Sequence, residues 1–520
     1  MSRTVPALAF VAVTLISSAV LAEPTTTSGP DYLGKPGADL LPGPRFPIAP
    51  LPPGSPQLVA PHAVVSPIIY LNRCRANYKG ASSTPCEITK SGLNDASSLN
   101  STIPQGAVAG DKFTIGEFQN DAGLSGAAAD AEWDEVVKCV QEVYSPFNTM
   151  VTDTKPTSPT FHHAVVGGTP GDLRLDNNIG GISPGVGCNA IDNYVTFTFA
   201  NAGFGGAGQN RIWYLCAVIA QESAHSYSLD HSYSFPGGRS ACIDPMTYRE
   251  DCGGMKFFRN DQATCGEDAA RPCSCGATQN AHLKLLSVFG AGTPTTPKPT
   301  VTVTPPMGGT VGISITANAF SKRGIAKLEL YMNNYKWAET KGNAFGPTGQ
   351  LAADYSLLVP AMVPNSKYDI KVRALDDLGT YTDSATVSAT KGAPCASADT
   401  CLKGQLCEDG KCFWEPPVGQ IGDACTFPQY CESQICQGTV DQTICTQACI
   451  PGVIDSCPEG GEFSCVETGP GMGICFFADT DTGCCSASNG DLPWAPGALG
   501  LSILGFIVIR RRRAPQGHSH

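Results

Sequence analysis

The sequence predicts a multidomain chain: an α+β domain, a β-sandwich, small disulfide-rich modules and a C-terminal transmembrane helix. Three observations carry that prediction. Apolar residues mix helical and alternating periods up to about residue 292, then change to short alternating runs after a Pro/Thr linker at 293–299. Twelve of the 24 cysteines crowd into the stretch from Cys395 to Cys475, which is poor in apolar runs. Each end of the 520-residue chain carries an apolar segment flanked by basic residues.

In chain order, residues 1–22 have Arg3, an apolar run at 5–16 and the small-residue cleavage site Val20-Leu21-Ala22, the pattern of a secretory signal peptide. Residues 23–61 are rich in proline and glycine and read as a flexible spacer or short pro-segment. They contain no cysteine, so cysteine-based latency has no candidate there. Export and an even cysteine count point to disulfides rather than metal knots, with connectivity left open.

The α+β domain is expected over 62–292. Its strands are placed at 67–71, 161–166 and 194–199, the last alternating cleanly and rich in β-formers. A helix is expected at 131–144, with Trp133, Val136, Val137, Val140 and Val143 at core spacing. A second begins near Gln209 and is apolar on all sides over 212–220, so it is expected to be buried. A short helix at 280–289 closes the domain. His162 and His163 point to opposite faces of their strand, cannot share a metal, and read as surface or cleft-rim residues. Gly203 to Gly208 satisfies G-x-G-x-x-G, but an exported chain does not meet nicotinamide cofactors; we read a loop and no nucleotide.

Over 293–391, alternating runs at 300–304, 310–317, 325–332, 355–359, 368–375 and 385–390 have the spacing of a β-sandwich. Residues 395–482 read as small disulfide-stapled modules without a sufficient core of their own. At 483–513, Gly483-Cys484-Cys485 precedes an apolar run at 492–509, just long enough to span a bilayer, and Arg510 to Arg513 would hold its end in the cytoplasm. A net charge of −12 with 15% charged residues argues against a nucleic-acid partner.

The stretch with chemical content is Gln221-Glu222-Ser223-Ala224-His225-Ser226-Tyr227-Ser228-Leu229-Asp230-His231, followed by Asp244-Pro245-Met246-Thr247-Tyr248. On a helix, Gln221 and His225 share a face, with Glu222 beside them. His231 meets His225 only if the helix stops near Ser228 and the chain doubles back. Two imidazoles, a third oxygen or nitrogen donor and a nearby carboxylate are what a catalytic zinc site needs.

At these residues the sequence resembles the metzincin clan of zinc peptidases, whose pattern is H-E-x-x-H-x-x-G-x-x-H followed by a Met-turn. The resemblance implies a Zn2+ cofactor held by His225 and His231, with Gln221 in the place of the first ligand. It implies Glu222 as general base, Met246 as the Met-turn beneath the metal, and Tyr248 as the tyrosine that approaches it to stabilise an oxyanion. It also implies a protein or peptide substrate, with the strand at 194–199 bordering the cleft. Two positions depart: Gln221 offers a neutral amide oxygen, and Ser228 stands where the family uses glycine. A left-handed backbone at Ser228 would cost roughly 1–2 kcal/mol. Cysteines 242, 252, 265, 273 and 275 are expected to pin the Met-turn by disulfides. Residues 368–379 look like the F–G hairpin of bacterial immunoglobulin-like modules, which serve as spacers or binders. The tail resembles MYXO-CTERM sorting tails, implying export, display on the cell surface and the bacterial membrane as partner. The competing expectation is a catalytically inactive metzincin-type fold acting as a surface binding or adhesion module.

Overall fold

The computed structural model describes Ile48–Ala49 and, with short internal gaps, residues 65–477. The expected signal peptide, most of the spacer and the tail at 483–513 lie outside the described residues; among those described, no helix is long and apolar enough to cross a membrane.

The first domain is organised on a mixed six-stranded sheet. In chain order its elements are β1 (Ile48–Ala49), β2 (Ile68–Asn72), β3 (Glu87–Lys90), β4 (Asn100–Ser101), β5 (Lys112–Thr114), α1 (Asp130–Tyr144), β6 (Met150–Thr152), β7 (His162–Val166), β8 (Gly181–Pro184), β9 (Val195–Thr198) and α2 (Gln209–His225). The main sheet has the order β1-β8-β9-β7-β2-β6, while β3 pairs with β4 and β5 in a small separate sheet. Strands β9, β7, β2 and β6 are parallel, and β8 runs against β9. Parallel strands are covered on both faces. Ala164 and Val166 join the core formed with α1 and α2, whereas Val165, between them, joins a second core with Val195 and Phe197. A disulfide between Cys139 and Cys216 ties α1 to α2, and the Tyr144 hydroxyl donates to the Ala220 carbonyl at 3.0 Å.

Two expectations need correction. The strand expected to border the cleft lies between β8 and β7, so neither of its backbone edges is open; the strand beyond it is β8. His162 and His163 are not at the surface. The strand alternation does turn them to opposite faces, but both faces are covered and the residues are 2% and 3% exposed. His162 Nε2 lies 3.2 Å from Thr196 Oγ1, while His163 contacts the Ala96 carbonyl and Asn72. Burial pushes their imidazoles down to about 3 and about 4.

Beyond the linker, a three-stranded sheet (Thr300–Val303, Ser314–Phe320, Ala353–Leu358) and a five-stranded one (Lys327–Met332, Tyr335–Lys341, Ser366–Leu375, Tyr381–Asp383, Val387–Lys391) supply a single core. Every pairing in both is antiparallel. A buried ion cluster joins this region to the first domain. Arg323 grips Asp377 at 2.7 and 2.9 Å and donates to the Phe258 carbonyl at 3.0 Å, with Arg259 3.6 Å from the same carboxylate.

Every cysteine from Cys74 to Cys475 is disulfide-bonded, and Cys242–Cys252 brackets Met246. The first cysteine group, Cys395–Cys407 and Cys401–Cys412, docks on the sheets through Lys411 to Asp369 at 2.6 Å and Asn333 to the Cys412 carbonyl at 2.9 Å. From Pro416 on, the described residues form a separate compact unit of short hairpins stapled by Cys425–Cys436, Cys431–Cys445, Cys449–Cys465 and Cys457–Cys475.

Candidate metal centre and active site

Helix α2 enters the core with all of Ile212 to Ala220 buried except Trp213, and ends at His225. The end is built by backbone hydrogen bonds. Tyr227 N and Leu229 N both donate to the Ala224 carbonyl, at 2.9 and 3.3 Å, and Ser228 N donates to the His225 carbonyl at 3.0 Å. Ser228 takes a φ of 70°, the left-handed conformation that reverses the chain. The reversal brings the His225 and His231 rings to 4.6 Å centroid separation, nearly perpendicular.

Each imidazole has its Nδ1 committed. His225 Nδ1 lies 2.7 Å from the Leu229 carbonyl, which can only accept, so Nδ1 carries the proton and Nε2 the lone pair. That Nε2 is buried and has no protein partner. Burial, with His231 alongside, pushes the His225 imidazole down to about 3 and keeps it neutral. His231 Nδ1 lies 2.8 Å from Glu267 Oε1. A ring nitrogen tied to a carbonyl, with the other left as donor, is the arrangement of metal-binding histidines, and His225 has it.

Glu222 is 0% exposed and neither carboxylate oxygen has a partner. Burial therefore pushes its carboxyl well above the ordinary range. Its seat depends on Gly181 of β8, where a Cβ would come within 2.8 Å of Glu222 Cγ and Oε1. Gln221 is buried too, and its amide nitrogen has no partner.

Below the rings, the segment from Asp244 to Tyr248 turns on the Asp244 carboxylate, which accepts from Met246 N and from Arg259 N, both at 2.9 Å. Burial raises the Asp244 carboxyl to about 6 against these hydrogen bonds. Met246 is fully buried in the same core as Ala224 and Leu229. The Tyr248 ring meets His231 at 4.6 Å between centroids, tilted by 55°.

Two orphaned acceptors at one buried helix end, the Glu222 carboxyl and the His225 Nε2 lone pair, fit a divalent cation; the unpartnered Gln221 amide nitrogen is a donor and adds nothing to that fit. Asp230, His231 and Glu267 also converge, but Arg271 already sits between the two carboxylates: its Nη atoms reach Asp230 at 2.6 and 2.8 Å and Glu267 at 2.6 Å. That trio holds a guanidinium, not a metal.

No family profile and no curated protein matches this chain. Among solved structures, it is similar to the crystal structure of wild-type OgpA from Akkermansia muciniphila, at 15% identity over 51% of this chain and 72% of that one, with a TM-score of 0.13. A second crystal form of wild-type OgpA gives 13% identity over 64% and 96%, with a TM-score of 0.15. Catalytically inactive OgpA in complex with an O-glycopeptide substrate, glycodrosocin, gives 12% identity over 66% and 99%, with a TM-score of 0.16. Scores this low carry no argument about family or chemistry.

Sequence reasoning missed Glu267 and Arg271. One signal was present: in a chain with 15% charged residues, Glu267 and Arg271 stand at i, i+4 inside a loop bracketed by Cys265 and Cys273.

Proposed function

We propose that this chain is an exported, zinc-dependent hydrolase of peptide bonds of the metzincin type, held at the cell surface by its C-terminal tail. One observation carries the reading: two imidazoles face each other at 4.6 Å, each with Nδ1 committed, beside a buried carboxyl that has no protein partner. His225, through its unpartnered Nε2, and His231 would hold the metal, with the Gln221 amide oxygen as a third, weaker donor. Zinc bound there supplies Lewis acidity, making water nucleophilic near neutral pH and polarising a carbonyl. Glu222 takes the proton of the attacking water and delivers it to the leaving amine. Tyr248, whose ring is tilted against His231, would donate to the oxyanion. An extended peptide would add to the outer edge of β8 next to Glu222 by taking the place of β1, which pairs there in parallel at Ser183 and Pro184.

A second reading, an inactive surface-binding module, is favoured by the neutral amide at Gln221. Metal analysis and a proteolysis assay on the full chain separate the two. Near-stoichiometric zinc and cleavage of an unfolded protein are expected. Glu222→Ala should cut the rate about 10²- to 10⁴-fold while the metal stays, and Gln221→His should tighten zinc binding. A chain that takes up no zinc leaves the binding module.

A further inference from the structure

Resting on the zinc reading, we infer that the loop closed by Cys265–Cys273 is a positioning device for His231: Glu267 fixes the imidazole, and Arg271 fixes Glu267. The loop is tightly set. Its disulfide spans eight residues, and Cys265 and Arg271 exchange both backbone hydrogen bonds, at 3.1 and 2.6 Å. Gly266 has a φ of 135°, and a Cβ there would fall 1.9 Å from the Ala269 carbonyl oxygen, so a side chain does not fit.

From this frame the loop holds His231 at two points. Gly266 N donates to the His231 carbonyl at 3.0 Å, and Glu267 Oε1 meets Nδ1 at 2.8 Å. Arg271 clasps both oxygens of Asp230, the residue preceding His231, and Asp230 also accepts from Ser274 N and Oγ at 2.8 Å. Asp230 alone supplies Arg271 with a two-point counter-ion. Glu267 is therefore not needed to satisfy the guanidinium, and its contact with the ring is the part that an ion-pair role leaves over.

The two imidazoles are thus treated unequally. His225 leans on a neutral carbonyl, whereas His231 leans on a carboxylate. An anionic partner on Nδ1 makes Nε2 a stronger donor. That gain falls at the site where Gln221 offers an amide in place of a third imidazole, and it offsets part of the loss.

The test uses the full, oxidised chain labelled with 15N-histidine, so that the disulfide-bonded cysteines offer no competing thiolates. Without metal, the ring nitrogens of His231, assigned by their loss in His231→Asn, should report the Nδ1-protonated tautomer. In Glu267→Ala that signature should shift toward the Nε2-protonated form while His225 stays unchanged. Zinc affinity, read by chelator competition, should fall about 10- to 100-fold in Glu267→Ala and in the isosteric Glu267→Gln, with Glu267→Asp recovering part of it. Zinc bound equally by wild type and both variants, with an unchanged tautomer, overturns the positioning role and leaves the zinc reading standing. A wild type that binds no zinc, yet whose tautomer changes in Glu267→Ala, sinks the zinc reading and keeps the positioning role.

Discussion

Glu222 and Asp377 are both carboxylates taken almost wholly out of water, at 0% and 2% side-chain exposure, and the chain treats them in opposite ways. Burial pushes both upward. At Asp377 the guanidiniums of Arg323 and Arg259 outweigh burial and hold the carboxyl below the ordinary range. At Glu222 no counter-charge or hydrogen bond is supplied, and burial prevails. A paired buried charge fastens two parts of the molecule; an unpaired one keeps its proton exchangeable for something outside the protein. The difference separates a structural bolt from a reactive group without reference to any motif.

The largest test removes each in turn. Asp377→Asn leaves two buried guanidiniums without their anion and should cost about 3–5 kcal/mol in denaturant titration. Glu222→Gln removes an uncompensated carboxyl, so the metal-free protein should lose nothing or gain stability. Equal destabilisation by the two would end the comparison. A smaller effect is expected from Gly181→Ala. Its Cβ would also meet Val218 Cγ1 at 2.6 Å, so the strand or the Glu222 side chain must shift. Overpacking of this kind costs about 1–3 kcal/mol, and kcat should fall more than KM rises, because the displaced group is the proposed base.

The two carboxylates should also respond to pH with opposite signs. The folded Glu222 carboxyl titrates above its ordinary 4.5, so the unfolded chain releases that proton first as pH rises. Its contribution is present below pH 4.5 and is lost as pH climbs toward the folded value. Asp377 sits below its ordinary 3.8, so its contribution is present above that pH and is lost as pH falls through the folded value. In metal-free protein, wild type should lose stability relative to Glu222→Gln as pH rises, by at most about 1.4 kcal/mol per pH unit. The difference between wild type and Asp377→Asn should narrow toward acid. The same sign for both would contradict the burial-against-pairing account.

How much of this was legible in the chain follows from separation along it. His225, Glu222 and Gln221 lie within one helix, and local periodicity puts them together. His231 needed only a turn, and the spacing demanded one. The partners of Asp377 lie 54 residues away at Arg323 and farther at Arg259, so no local pattern joins them. Glu267 is 36 residues past His231 and arrives through a disulfide loop. The strand Tyr335–Lys341 was not among the expected runs: it is an edge strand with no fully buried residue, so one face never had to be apolar. His162 and His163 were misplaced because alternation gives direction without saying that both faces of a parallel sheet are covered.

The smallest predicted effect concerns the turn on the Glu222 side. Ser228 adopts φ 70° within a buried reversal, and its hydroxyl finds no partner there. A non-glycine residue in that conformation costs about 1 kcal/mol or more, whereas glycine takes it freely. Ser228→Gly should therefore raise the denaturation midpoint by an amount equivalent to about 1 kcal/mol, less the entropy glycine adds to the unfolded chain. Zinc binding should hold or tighten, since the same turn sets the 4.6 Å approach of His225 and His231. A loss of stability would mean that the serine hydroxyl has a buried water or another partner worth more than the backbone strain. The vicinity of Glu222 would then be better satisfied than its side chains suggest, and the contrast with Asp377 would weaken from that side.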